Sequence, residues 1–390
     1  MTKTAIVAGG GIAGTVAAIA LRRAGFTPLV HEAYPADADQ RGAFLTVAVN
    51  GLTALRALDL DPADLLAAGY PTPRVALGTG SGRPLADLPL GGPTADGTIT
   101  TTIKRADLYT ALRAAATREG VPIRYGKRLV TLTEDAHGVT AGFADGTSVT
   151  ADLLVGADGL NSRARTLLDP AAPAPRYLGL LNAGGFTTEP IAADLDRTPG
   201  LIRMAFGRRC FFGWSVAPDG SVWWFANPPS KRPHTGFTPA QWRSYLLDLF
   251  AGDAIPAAAI IRATGEVLGP WNTFDLPRVR VWRSRRAVLL GDAAHAVAPS
   301  SGQGASMAIE DAVTLGRCLA ALEVPEALAA YEGLRRARVE KVVAFGRRNS
   351  SGKTAGPVGA WIRDRATPPL MRMLYRKGDP QAWIFDHRLS

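Results

Sequence analysis

The sequence predicts an α/β fold in which a parallel sheet with crossover helices is interrupted by a mainly antiparallel sheet and followed by C-terminal helices. Three observations predict it. An apolar strand pattern, a glycine turn and a helical pattern open the chain. Aromatic and β-branched residues fill positions 176 to 270, and a second buried strand at 287–290 leads into a long helical stretch.

The elements follow in order. Residues 3–8 (KTAIVA) read as a buried strand, Gly9-Gly10-Gly11 as a tight turn and residues 12–24 as a helix, with Ile12, Val16 and Ile19 at i, i+4 and i+7. Gly25 suits the position after the last turn, and Pro28 to Glu32 gives a second strand. Further helices are expected near 50–58 and near 106–118, where Leu108, Leu112 and Ala115 share a face. Residues 71–100 are rich in Gly, Pro and Thr, and 121–155 alternate strands with turns such as Asp145-Gly146. Turns at Pro218-Asp219-Gly220 and Asn227-Pro228-Pro229 punctuate the central sheet. After the strand AVLL comes a helix with Ala308, Ala312, Leu315, Leu319 and Leu322 on one face.

Composition bounds the function. At 390 residues, with 47% hydrophobic and 20% charged, the chain is a large globular protein, two domains or one composite. The net charge of +10 is spread in ones and twos without a basic arm, which argues against nucleic acid; a positive field suits an anionic cofactor or substrate equally. The densest run, Arg335-Arg336-Ala337-Arg338, reads as a solvated helix face. Cys210 and Cys318 stand apart from any metal-ligand spacing, so no metal is expected, and a reducing, cytoplasmic setting fits them. Met1-Thr2-Lys3 and the apolar run ending Ala18-Ile19-Ala20 mimic a signal peptide, but the glycine spacing and the continuation into Arg22-Arg23 and a second strand favour a nucleotide-binding unit. No stretch approaches the ~18–20 apolar residues of a membrane span.

Three motifs carry chemistry. The first is Gly9-x-Gly11-x-x-Gly14 between strand and helix, with Ile12 and Ala13 opening the helix. Its glycines permit the turn and let backbone N–H groups reach a pyrophosphate, and the helix N-terminus adds partial positive charge. Glu32, closing the second strand, lies where an acid accepts ribose hydroxyls. These features make the first unit Rossmann-like. The second is Leu153-Leu154-Val155-Gly156-Ala157-Asp158-Gly159 with Ser162 and Arg165, a hydrophobic strand that delivers Asp158 at its carboxyl end. The third, the most specific, is Gly291-Asp292-Ala293-Ala294-His295, then Pro299, Gly302-Gln303-Gly304 and Glu310-Asp311. There a strand ends in an Asp able to accept from ribitol hydroxyls, and a turn leads to a helix whose dipole favours negative charge.

Together these stretches resemble the FAD-dependent monooxygenases of the aromatic hydroxylase type, including the salicylate, urate and tetracycline hydroxylases. Arg41-Gly42 with Asn50-Gly51, and Arg105 with Asp107-Leu108, extend the resemblance. It implies an FAD-binding domain made of 1–72, 101–175 and 271–322, a substrate domain of 73–100 and 176–270, and a helical segment 323–390. It implies that Arg41 and Arg105 meet cofactor phosphates or flavin, and that Asp158 lies near the pyrophosphate. Asp292, Pro299, Gly302, Gln303 and Gly304 would then hold the ribitol and the flavin pyrimidine edge. The reaction implied uses NADPH or NADH and O2 to hydroxylate or epoxidise an aromatic or polycyclic small molecule through a C4a-hydroperoxyflavin, in a monomer or homodimer.

No second glycine fingerprint exists: Gly78-Thr79-Gly80-Ser81-Gly82 is followed by Pro84, so no dedicated nicotinamide domain is expected. Arg203, Phe212, Trp214, Trp223 and Phe225 are the substrate-pocket candidates, and alternation lets only one face of each strand meet the pocket. His295 reads as structural. A reductase of C=C bonds and a non-catalytic FAD-binding protein remain as alternatives at this level.

Overall fold

The computed structural model describes residues 2–36, 42–191, 195–234, 236–354, 356–376 and 378–389. At its centre five parallel strands lie in the order Ala287–Leu289, Leu153–Gly156, Thr4–Ala8, Thr27–His31 and Ile123–Arg124. Their runs are apolar because both faces are covered. Helix Ile12–Arg23 crosses between the first two strands in chain order, and helix Gly304–Ala321 packs on it closely enough that a Cβ on Gly316 would sit 2.8 Å from that of Ala20. Helix Arg105–Arg118 buries Leu108, Leu112 and Ala115, the stripe its sequence spacing predicts.

A second sheet has seven strands in the order Leu268–Asp275, Arg176–Phe186, Val222–Asn227, Phe211–Val216, Leu201–Phe206, Arg74–Thr79 and Pro84–Pro89. Its neighbours pair antiparallel except Leu201–Phe206 with Arg74–Thr79, which run parallel. The glycine-rich stretch 78–82 lies where the last two strands turn back as a hairpin.

Two helices inside the central region were not expected from the aromatic pattern. Pro239–Leu249 is started by a capping box, in which the Thr238 hydroxyl accepts from the Gln241 N–H at 3.3 Å and the Gln241 side chain accepts from the Thr238 N–H at 3.0 Å. With Ala257–Arg262 it covers one face of the sheet, burying Trp242, Leu246, Ile260 and Ile261 against Phe212 and Trp224.

The C-terminal part is helical: Val324–Ser351, Pro357–Tyr375 and Ala382–Phe385. Arg335 on the first of these corrects the solvated-face reading of the basic run. It is 1% exposed, and the acids that neutralise it come from another helix. Among the described residues no helix is long and apolar enough to cross a membrane.

Candidate functional site

Three loops at the carboxyl ends of neighbouring parallel strands meet, the place where open α/β sheets bind ligands. Gly9 adopts φ +107°, and a Cβ there would meet the Ala157 carbonyl oxygen at 2.3 Å, so the first and second motifs touch through backbone. A Cβ on Gly14 would sit 1.9 Å from the Gly9 carbonyl oxygen, which leaves only glycine at that crossing of helix and strand. Gly291, at φ +54°, brings the third motif to 3.0 Å from Ala13 by the same measure.

Around this junction the polar groups divide into committed and open. Glu32 Oε2 accepts from the Gly10 N–H at 2.6 Å and Oε1 from Tyr34 at 2.9 Å, which fixes the carboxylate at the end of the second strand. Above Gly11, the N-cap of helix Ile12–Arg23, the Tyr109 hydroxyl alone among the described residues comes within 4 Å of a notional Cβ, at 3.9 Å. That leaves room for a ligand to approach the backbone. Asp158 is committed: Oδ2 accepts from the N–H groups of Arg163 and Ala164 at 2.7 and 3.0 Å, and Oδ1 from the Ser162 hydroxyl at 2.5 Å. It therefore caps the helix Arg163–Leu168 beside the glycine turn.

Arg105 is exposed at its helix start and donates to the Tyr109 hydroxyl at 2.8 and 2.6 Å. Arg41 lies outside the described residues.

Asp292 is open. Its side chain is exposed, and among the described residues it has no hydrogen-bond partner. The surrounding protein desolvates it and raises its carboxyl pKa, against the pull of His295 and Arg105. Gly302, at φ +62°, turns the chain after Pro299–Ser301, and Gln303 caps helix Gly304–Ala321.

That helix start is held by a buried polar network. Asn50 donates to Gln303 Oε1 at 3.1 Å and to Glu310 Oε1 at 2.7 Å, and the Ala48 N–H donates to the Ser306 hydroxyl at 3.0 Å. Arg335 reaches Glu310 at 2.6 Å and Asp311 at 2.8 Å, while Arg338 grips both oxygens of Glu310 at 2.8 Å. His295 Nε2 lies 2.5 Å from Asp311 Oδ2. Burial alone would raise both acids; Arg338 and Arg335 bring Glu310 below its ordinary range, and His295 and Arg335 bring Asp311 down to about 2. His295 is thus tied into the scaffold, as its position in the motif suggested.

The pocket candidates separate by strand parity. Trp223 and Phe225 face the strand Phe44–Val47, with ring centroids 5.7 and 6.2 Å from Phe44, and Trp223 also meets Tyr70 at 5.0 Å. Phe212 and Trp214 point the other way, toward the covering helices. Phe212 stacks on Trp224 at 5.5 Å and meets Phe250 at 5.1 Å, inside the core under the two helices. Arg203 is paired in register with Trp214, which puts it on that same far face, ion-paired with Asp196. Phe44 went unread as a site residue, since one aromatic in a four-residue strand carries no periodic signal.

The arrangement fits a flavin dinucleotide: open backbone over Gly11, a fixed acid at Glu32, a free acid at Asp292 and a glycine-started helix beside it. A family profile described as an FAD binding domain matches residues 1–346. The aurachin C monooxygenase/isomerase of Stigmatella aurantiaca is 33% identical over 375 residues, 95% of this chain and 94% of that protein. A 3-amino-4-hydroxybenzoate 2-monooxygenase of Streptomyces platensis is 33% identical over 387 residues, 97% and 94% of the two chains. A crystal structure of a Klebsiella pneumoniae protein complexed with FAD and uric acid superposes with a TM-score of 0.81 and 28% identity, covering 95% of each chain.

Proposed function

Because this chain belongs to the family of FAD-dependent monooxygenases, we propose that it uses NADH or NADPH with O2 to hydroxylate or epoxidise an aromatic or polycyclic small molecule, on a single polypeptide. Relatives named for 3-amino-4-hydroxybenzoate, and a structural neighbour holding uric acid, support a ring substrate.

In this reading the backbone of Gly9, Gly11, Ile12, Ala13 and Gly14 cradles the pyrophosphate and Glu32 takes the adenosine ribose. Arg105 meets the flavin or its phosphates. Asp292 accepts from the ribitol, and the helix start at Pro299, Gly302, Gln303 and Gly304 faces the pyrimidine edge. FAD, when bound, supplies hydride acceptance and O2 activation. The protein positions it, places the substrate against Trp223 and Phe225, and excludes water with that aromatic face.

The observation that carries the proposal is Asp292, an acid without a hydrogen-bond partner among the described residues, close in sequence to the helix Gly304–Ala321 whose start is clamped by the buried network. Turnover under isotopically labelled O2 tests it: one labelled oxygen per product molecule is expected. Unlabelled product, or full turnover without O2, would point to C=C reduction instead, and a flavin that no substrate helps to reduce would point to a non-catalytic protein.

A further inference from the structure

The C-terminal segment returns to the aromatic sheet at Lys353. Helix Val324–Ser351 first anchors on the turn before Gly304: the Ser350 hydroxyl donates to that of Ser300 at 3.0 Å, and a Cβ on Gly346 would lie 3.1 Å from that of Ser301. The chain then lays the Lys353 stem across the sheet. Nζ stands 4.2 Å from the Phe211 ring centre and 5.8 Å from that of Phe225, the pocket-facing side by strand parity.

Lys353 Nζ donates at 2.6 Å to Asn227 Oδ1. The orientation of that amide is set from behind, since Asn227 Nδ2 donates to Asn182 Oδ1 at 2.6 Å and Asn182 Nδ2 to Thr273 at 2.7 Å. So the sheet presents an oxygen, not an N–H, to the lysine. The amine has three donors and this contact uses one.

Among the described residues no carboxylate pairs with Lys353. Three arginines share a cavity of about 390 Å³ with it: Arg209 pairs with Asp248 at 2.9 Å, Arg363 pairs with Asp364 at 2.7 Å, and Arg208 donates its backbone N–H to Asp253 at 3.0 Å. Phe206 and Phe211 supply the apolar wall of that cavity. Burial pushes the Lys353 amine down to about 7, so an incoming anion would restore its charge at modest cost. A half-buried amine with spare donors on an aromatic wall is placed to take an acceptor from a ligand.

We propose that Lys353 is a substrate-binding residue: its Nζ takes an acidic oxygen of the ring substrate (a phenolate, enolate or carboxylate), which selects an ionisable aromatic and fixes its orientation on Phe211 and Phe225. This rests on the monooxygenase reading for the word substrate, and its test reads binding separately from oxygen transfer.

FAD-loaded wild type, K353M and K353R are titrated with salicylate, 3-amino-4-hydroxybenzoate and uric acid, and with their methylated, non-ionisable derivatives, following the flavin absorbance. Flavin content and melting temperature establish that the variants are folded. Wild type is expected to bind at least one acid about tenfold to a hundredfold more tightly than its methylated partner, and K353M to lose that preference while binding the methylated compound as wild type does. K353R is expected to keep the preference. With a turned-over acid, the loss in K353M should fall mainly on KM. The proposal is overturned if no acid binds wild type, if K353M binds the acid as tightly, or if K353R loses the preference with K353M. Acid binding without any oxygen transfer would sink the monooxygenase reading and leave the role of Lys353 standing.

Discussion

Arg335 and Asp311, from two different helices, meet at 2.8 Å with side chains 1% and 0% exposed. Glu310 completes the cluster from the position beside Asp311. Replacing Arg335 with Met would leave two buried carboxylates short of positive charge. The expected loss is about 3–5 kcal/mol in denaturant unfolding. The exposed pair Lys3–Glu323, at 2.7 Å, is the contrast: Lys3→Ala should cost less than about 1 kcal/mol. Similar losses in both would show that the cluster is not the scaffold described here.

Gly14 and Gly333 make a second contrast. Gly14→Ala forces backbone apart where the cofactor turn is built, so both FAD retention and melting temperature should fall. Around Gly333, inside helix Val324–Ser351, no described residue beyond the helix's own backbone lies within 4 Å of a Cβ, and alanine there should stabilise by roughly 0.5–1 kcal/mol. Full flavin retention in Gly14→Ala would contradict the tight crossing.

Asp292 and His295 are three residues apart but answer to different partners. Asp292→Ala should weaken FAD binding by about 1.5–3 kcal/mol, a charged acceptor lost, with little change in apoprotein stability. His295→Ala removes the contact to Asp311 and a ring packed 5.6 Å from Trp282, so it should lower stability more than FAD affinity. Paired FAD titrations and apoprotein melts separate the two; a reversed order would mean the motif has been assigned the wrong way round.

How much of this was legible depended on the range of the signal. The strand, glycine turn and helix at 4–23 were readable because period, cap and turn residues sit side by side in the chain. Arg335 was not, because its acids lie some 25 residues away on another helix and its own neighbours, Arg336 and Arg338, look like surface. Alternation told that Phe212 and Trp214 share a face, but not which face. That was decided by helix Pro239–Leu249, which supplies Trp242 and Leu246 to cover them. The capping box at Thr238 and Gln241 was the available cue for that helix.

His31 gives a pH signature. Buried and stacked on Phe143 at 4.4 Å, it has its pKa pushed down to about 4 by desolvation, with Arg124 and Lys127 adding to the effect. Above the unfolded value near 6.5 both states are neutral there and His31 contributes nothing to pH dependence. As pH falls from 6.5 to 4 the unfolded chain takes up the proton first, and stability drops by up to roughly 3 kcal/mol. In His31→Phe this part of the acid limb should flatten, measured by urea unfolding from pH 7 to 4. An unchanged limb would show that His31 is not the group responsible.

The strand Val222–Asn227 offers the sharpest test of which side of the sheet meets the substrate. Trp224 is fully buried, with its indole N–H donating to Thr264 at 2.8 Å under the covering helices. Phe225, the next residue, is half-buried and looks toward Phe44. Truncating Trp224 to Ala should therefore cost about 3–5 kcal/mol of stability through the cavity it leaves. In whatever folds, KM should stay near the wild-type value. Truncating Phe225 should leave melting nearly in place but raise KM about tenfold, the loss of one well-packed aromatic contact. It should also admit water beside the flavin, so more hydrogen peroxide should be released per NAD(P)H oxidised. Measuring KM, peroxide yield and melting temperature for both variants decides the matter. If Trp224→Ala changed KM while Phe225→Ala changed only stability, the substrate would lie on the helix-covered face, against the packing of Phe44, Trp223 and Phe225.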